Sequence, residues 1–130
     1  MFKKKTEVIL DTNALLLPGK AVDVFTLIHD AMDEPYKLAT HANVLAELER
    51  LMQGKKKQSF NAKLGYILAK QKALKTIGRF SATHTDDVIV EHAKPGKAVV
   101  VTQDKALKKR LKEKGVRVLT YHQGKLIFEA

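Results

Sequence analysis

The chain has 130 residues, 45% of them hydrophobic, and 24 Lys and Arg against 14 Asp and Glu give a net charge of +10. That size and apolar content suit one folded domain over 1–130 with a real core, and exclude a disordered chain. The lack of cysteine excludes disulfides and thiolate metal sites, and no apolar run nears the ~20 residues that span a bilayer, so a cytoplasmic protein with no membrane contact is expected.

Residues 6–13, Thr-Glu-Val-Ile-Leu-Asp-Thr-Asn, hold the first strong signal. Val8, Ile9 and Leu10 read as an interior strand covered on both faces, and it stops at Asp11. Asp11 stands at the carboxyl end of that strand, where open α/β sheets bind ligands, although an aspartate there is also an ordinary helix cap. Residues 21–32 are spaced as an amphipathic helix, with Val24, Phe25, Ile28 and Met32 on one face and Pro18-Gly19 marking the loop before it. Pro35 breaks the chain before a second strand, 36–40. A helix over 41–53 follows, closed by Gly54. Its apolar stripe runs through Val44, Leu45, Leu48, Leu51 and Met52, with Glu47 and Glu49 on opposite margins, and helical geometry does not choose between them.

Lys55, Lys56 and Lys57 read as an exposed loop before a long helix over 58–76. That helix has Phe60, Leu64, Ile67, Leu68 and Leu74 as apolar positions and Lys63, Lys70, Lys72 and Lys75 on the other face. Residues 78–82 are expected as a short strand. Asp86-Asp87 opens a further helix to about Ala93, with Thr85 or Asp86 as N-cap and Pro95-Gly96 after it. Ala98-Val99-Val100-Val101 is a second buried strand, running through Thr102-Gln103-Asp104 into a Lys-rich helix that ends at Gly115. Residues 116–119 and the tail 124–128 complete the strands. Alternating strands and helices predict an α/β fold, a three-layer α/β/α sandwich on a mainly parallel sheet.

Asp11 and Asp104 each follow a buried strand, Asp86-Asp87 begins a helix just past another, and a glutamate lies on the helix after strand two. Carboxylates gathered at one sheet edge repel one another and call for cations or raised pKa values. Oxygen ligands without Cys or paired His suit Mg²⁺ or Mn²⁺. Such a site in a basic protein suits phosphodiester cleavage. The basic residues cluster at Lys3–Lys5, Lys55–Lys57, Lys63 to Arg79 and Lys105 to Lys114, which fits a polyanion but equally a solvated surface. Lys105, Lys108, Lys109 and Arg110 follow Asp104 directly and are candidate phosphate contacts, as are Lys55, Lys56, Lys57, Lys63 and Lys70. Aromatic residues make up 6% and do not interleave with the basic runs, favouring backbone tracking over base stacking.

The set Val-Ile-Leu-Asp11-Thr-Asn, Val-Leu-Ala-Glu47-Leu, Asp86-Asp87-Val-Ile-Val and Val-Val-Thr102-Gln-Asp104-Lys-Ala-Leu-Lys resembles the PIN-domain ribonucleases over essentially the whole chain. The resemblance implies a Rossmann-like sandwich, Mg²⁺- or Mn²⁺-dependent endoribonuclease activity, and Asp11, Glu47, Asp87 and Asp104 as metal-binding catalytic acids, with Asp86 assisting or capping. It selects Glu47 over Glu49 and gives Asn13 and Thr102 supporting roles. Tyr66 to Leu74, the basic helix and the doubled aspartate look similar to the branch that matures small-subunit ribosomal RNA; VapC-type toxins share the core acids and the length. The implied partners are RNA, precursor ribosomal RNA above all, a second copy of the chain as a homodimer, and an antitoxin in the toxin branch. A non-catalytic RNA-binding or ribosome-assembly module is the reading from another class.

Overall fold

A computed structural model describes residues 4–129. Lys3 of the first basic cluster lies outside them. The strands are β1 (Thr6–Leu10), β2 (Tyr36–His41), β3 (Lys75–Ile77), β4 (Ala98–Val101), β5 (Arg117–His122) and β6 (Lys125–Phe128). The helices are α1 (Thr12–Leu16), α2 (Val24–Ala31), α3 (Ala42–Met52), α4 (Lys57–Gln71), α5 (Thr85–His92) and α6 (Lys105–Lys114), with a 3-10 turn at Leu17–Lys20.

The six strands form one sheet in the order β3-β2-β1-β4-β5-β6, parallel except for β6. β1 is central because its apolar run is covered on both faces: Val8 lies between Leu38 of β2 and Val99 of β4, and Val8, Ile9 and Leu10 are wholly buried. The chain steps from β1 towards β3 on one side and from β4 towards β6 on the other. Right-handed crossovers stepping in opposite directions lay their helices on opposite faces, which gives the three-layer sandwich. The strand order reverses between β1 and β4, so a crevice opens at their carboxyl ends. β6 returns antiparallel through Gln123 and Gly124, both at positive φ, the geometry of a tight primed hairpin turn. Among the described residues no helix is long and apolar enough to cross a membrane.

Thr12–Leu16, after Asp11, is a short helix on which the sequence carried no signal. Three expectations are corrected. The long helix ends at Gln71: Ala73 takes a left-handed φ of 52°, Leu74 N bonds back to Ala69 O, and Lys75–Ile77 becomes the edge strand. Residues 78–82 are consequently loop. The N-cap of α5 is His84, with Asp86 and Asp87 in the first turn.

The buried face of α4 also differs from its apolar stripe. Phe60 is 70% exposed and Ile67 41%, while Asn61, Ala62, Gly65 and Ala69 are buried. Small residues face inward because α4 lies close against α1: a Cβ on Gly65 would run into the carbonyl oxygen of Leu15.

Candidate active site

Asp11 and Asp104 leave the sheet from β1 and β4, on the two sides of the crevice, and each begins a helix as it does so. Asp11 caps α1, its Oδ1 accepting from Ala14 N at 2.9 Å; Asp104 caps α6, its Oδ1 accepting from Leu107 N at 2.9 Å. Each cap engages one carboxylate oxygen. Two side chains stitch the loops together: Asn13 Oδ1 accepts from Gln103 N at 3.0 Å, and Thr102 Oγ1 accepts from Asp104 N at 3.1 Å while its hydroxyl bonds to Asp11.

Burial pushes the Asp11 carboxyl up to about 7. The hydrogen bonds from Thr102 and Ala14 N favour the charged form without offsetting that cost, and the charges of Asp86 and Asp104 add to it. The Asp86 carboxyl is raised as well, first by burial and then by Asp104, with Glu47 and Asp87 pressing in the same direction and Arg110 opposing. Asp86 thus links the acids: it acts on Asp11 together with Asp104, and it feels Asp104, Glu47 and Asp87.

Glu47 and Glu49 separate as α3 is laid down. Glu47 Oε2 accepts from Thr85 Oγ1 at 3.0 Å, at the mouth of α5, whereas Glu49 Oε1 takes the Tyr66 hydroxyl of α4 at 3.3 Å. Asp87, which lines the same cleft, is paired: Arg110 Nη1 donates to its Oδ1 at 2.7 Å, linking α5 to α6. Asp86 and Asp87 both line the cleft of the acid cluster, about 100° apart in helical phase, and differ in that Asp87 carries the bond from Arg110.

A cleft of about 740 Å³ lies beside this cluster, lined by Glu47, Arg50, Phe80, Asp86, Asp87 and Arg110 among others, with Asp11 and Asp104 outside its lining. Its far wall, residues 81–83, is held by buried Asn43: Ser81 N donates to Asn43 Oδ1 and Asn43 Nδ2 donates to Ser81 O, both at 2.9 Å. His41 caps α3 through Nδ1, which accepts from Asn43 N at 2.9 Å; burial lowers the pKa of its ring and keeps it neutral. Asn43, Arg50 and Phe80 went unmarked in the sequence, where each is an unexceptional member of a helix or loop.

Among the basic candidates, Lys55, Lys56, Lys57, Lys63, Lys70, Lys105, Lys109 and Arg110 are exposed. Lys108 is placed otherwise: its ammonium donates to Thr120 Oγ1 at 3.3 Å and lies 3.6 Å from Glu129. It braces β5 and the tail instead of facing solvent.

The donors fit a hard divalent cation in kind. They are carboxylate oxygens, joined beside Asp11 by the Thr12 hydroxyl, a buried oxygen with no hydrogen-bond partner. Among the described residues, no three Asp, Glu or His side chains stand close enough to hold an ion as they are. A cation beside Asp11 would favour the charged form of a carboxyl that burial first, and Asp86 and Asp104 last, push towards protonation.

Comparison with known proteins follows the same lines. The model of the PIN like domain family matches residues 8–124. Ribonuclease VapC4 of Methanocaldococcus jannaschii is 31% identical over 126 residues, covering 92% of each chain. The solved structure of the PIN domain endonuclease Utp24 is similar with a TM-score of 0.75 at 27% identity, covering 95% of this chain and 90% of that one. The chain belongs to the PIN-like domain family and is a PIN-domain endoribonuclease.

Proposed function

We propose that the chain is a Mg²⁺- or Mn²⁺-dependent endoribonuclease that cuts structured RNA during ribosomal RNA processing, with Asp11, Glu47, Asp86 and Asp104 as its metal-holding acids. The observation that carries this reading is the linkage of Asp11, Asp104 and Glu47 through Asp86 at the reversal of strand order. A bound divalent ion supplies Lewis acidity and a water of lowered pKa. Asp11 contributes a carboxylate fixed by its bonds to Ala14 N and Thr102. Asn13 and Thr102 keep the loops after β1 and β4 in register, and so keep Asp11 and Asp104 at a constant separation. Arg110, at the cleft edge, is placed to meet a substrate phosphate by exchanging its bond to Asp87 for one to the anion. The exposed lysines of α4 and α6 offer sequence-independent contacts to flanking phosphates.

The ribosomal role is supported by the long basic α4 and the doubled Asp86-Asp87. A toxin role is the second reading, favoured by the likeness to Ribonuclease VapC4; its partner would be an antitoxin that covers the cleft, and the enzyme would act as a homodimer. The test incubates a structured precursor ribosomal RNA fragment with wild type and Asp11→Asn in Mn²⁺. Site-specific cutting by wild type alone supports the ribosomal reading. Indifference to that fragment with cutting of unrelated RNA, together with growth arrest on expression, favours the toxin. RNA binding without any cutting supports a non-catalytic module.

A further inference from the structure

We infer that Phe80 is a stacking platform for a nucleobase of the RNA held in the cleft. This inference rests on the ribonuclease reading above and names the residue that grips a base at that site. Phe80 lines the cleft and is 67% exposed, an apolar ring left in water on a wall that otherwise carries Ser81, Thr83, His84 and Thr85. The loop that presents it is pinned on both sides. Gly78, two residues before, has φ 68°, and the space a Cβ would need there is filled by the His41 ring. Ser81, one residue after, is held through its N–H and carbonyl by the buried Asn43 side-chain amide. The ring is therefore offered by a fixed support, which keeps the ordering cost of a stacked complex small.

The rest of the cleft supplies what the remainder of a nucleotide needs. Arg50 and Arg110 line it as cations for phosphate, and Glu47 and Asp86 mark the hydrolytic end. A base that stacks on Phe80 while its backbone passes the arginines is held with little regard to sequence, since every base has a π-face. A duplex keeps its bases stacked internally and offers no such face. The sparse aromatics of the chain suggested backbone tracking alone; folding brings one of them to the cleft.

The test uses a short RNA oligonucleotide with 2-aminopurine substituted at successive positions. It is titrated in EDTA with wild type, Phe80→Ala, Phe80→Leu and Phe80→Tyr, followed by base fluorescence and anisotropy; single-turnover cleavage in Mn²⁺ runs alongside. Wild type and Phe80→Tyr should quench the probe at one position. Phe80→Ala and Phe80→Leu should lose that quenching and bind roughly 5- to 100-fold more weakly, with the loss in apparent KM and the maximal rate preserved. Quenching that survives in Phe80→Ala overturns the inference, as does duplex RNA bound as tightly as the single strand. Phe80→Leu behaving as wild type also overturns it, pointing to apolar packing of the kind a protein partner would use. Stacking retained with no cleavage would refute the ribonuclease reading and leave the platform standing; cleavage indifferent to Phe80 refutes only the platform.

Discussion

Arg110 holds Asp87 through a 2.7 Å hydrogen bond from Nη1 to Oδ1, linking α6 to the first turn of α5, which also carries Asp86. We propose different tasks for the two neighbouring aspartates: Asp86 holds the metal and Asp87 holds Arg110. Asp86→Asn is expected to reduce metal-dependent cleavage by more than the ~10–100-fold typical of groups that only support a metal ligand. Asp87→Asn should retain cleavage within about threefold and cost under about 1 kcal/mol of stability, because both members of its ion pair are substantially exposed. Parallel rate and denaturation measurements on the two variants check this; equal loss in both would make Asp87 a metal-holding acid as well.

Asp11 makes the metal-free protein lose stability as the pH rises from acid to neutral. Its carboxyl titrates at about 7 when folded, against an ordinary value of 3.8. Between those limits the folded chain keeps a proton that the unfolded chain has released, so this group's contribution to stability falls as pH rises through the window. Asp11→Asn, which cannot ionise, should be more stable than wild type at pH 8 by ~2–4 kcal/mol, and the gap should close by pH 4. Chemical denaturation in EDTA at a series of pH values measures it. Mn²⁺ at 100 times its Kd should add about 2.7 kcal/mol to wild type at pH 8 and much less at pH 5, where protons compete, while Asp11→Asn responds weakly.

Gly65→Ala tests the close approach of α4 to α1. Alanine in the middle of a helix ordinarily stabilises by ~0.5–1 kcal/mol. Here the new Cβ would meet the Leu15 carbonyl, backbone that cannot rotate away, on the short helix that Asp11 caps. The expected result is a loss of ~1–3 kcal/mol, with impaired cleavage, seen as a lowered denaturation midpoint.

Asn43→Ala should loosen residues 81–83. It removes three side-chain hydrogen bonds to Ser81 and Thr83 and leaves half-buried backbone groups of Ser81 without that partner, at a cost of ~1 kcal/mol. Amide exchange at Ser81 should accelerate more than in β1 or β4, and affinity for RNA should fall with that loop.

What could be read from the chain depended on how local the determining physics is. β1 and β4 were legible because Val8–Leu10 and Ala98–Val101 are uninterrupted apolar runs, each closed by polar residues, and their pairing at the centre of the sheet puts Asp11 and Asp104 at the crevice. β3 was not legible: Lys75–Ile77 has three residues, only Ile77 is buried, and Ala73 takes the left-handed turn that glycine usually marks. The inward face of α4 was hidden for a related reason, since its small residues are chosen by contact with α1 and carry no hydrophobic signal. The pairing of Asp87 with Arg110, 23 residues further on, and those of Glu47 with Thr85 and Glu49 with Tyr66 left no local signal. Pairings of that kind are fixed by tertiary structure alone.

The central claim is that the carboxylates at the ends of β1 and β4 form one metal-dependent nuclease site. Its most direct test is single-turnover cleavage of a structured RNA containing an unpaired segment, with wild type and Asp11→Asn, each in Mn²⁺ and in EDTA. The account predicts cutting by wild type in Mn²⁺ only, and loss in Asp11→Asn despite a folded protein that still binds the RNA. Equal cutting by the two proteins, or cutting by wild type that persists in EDTA, would contradict it.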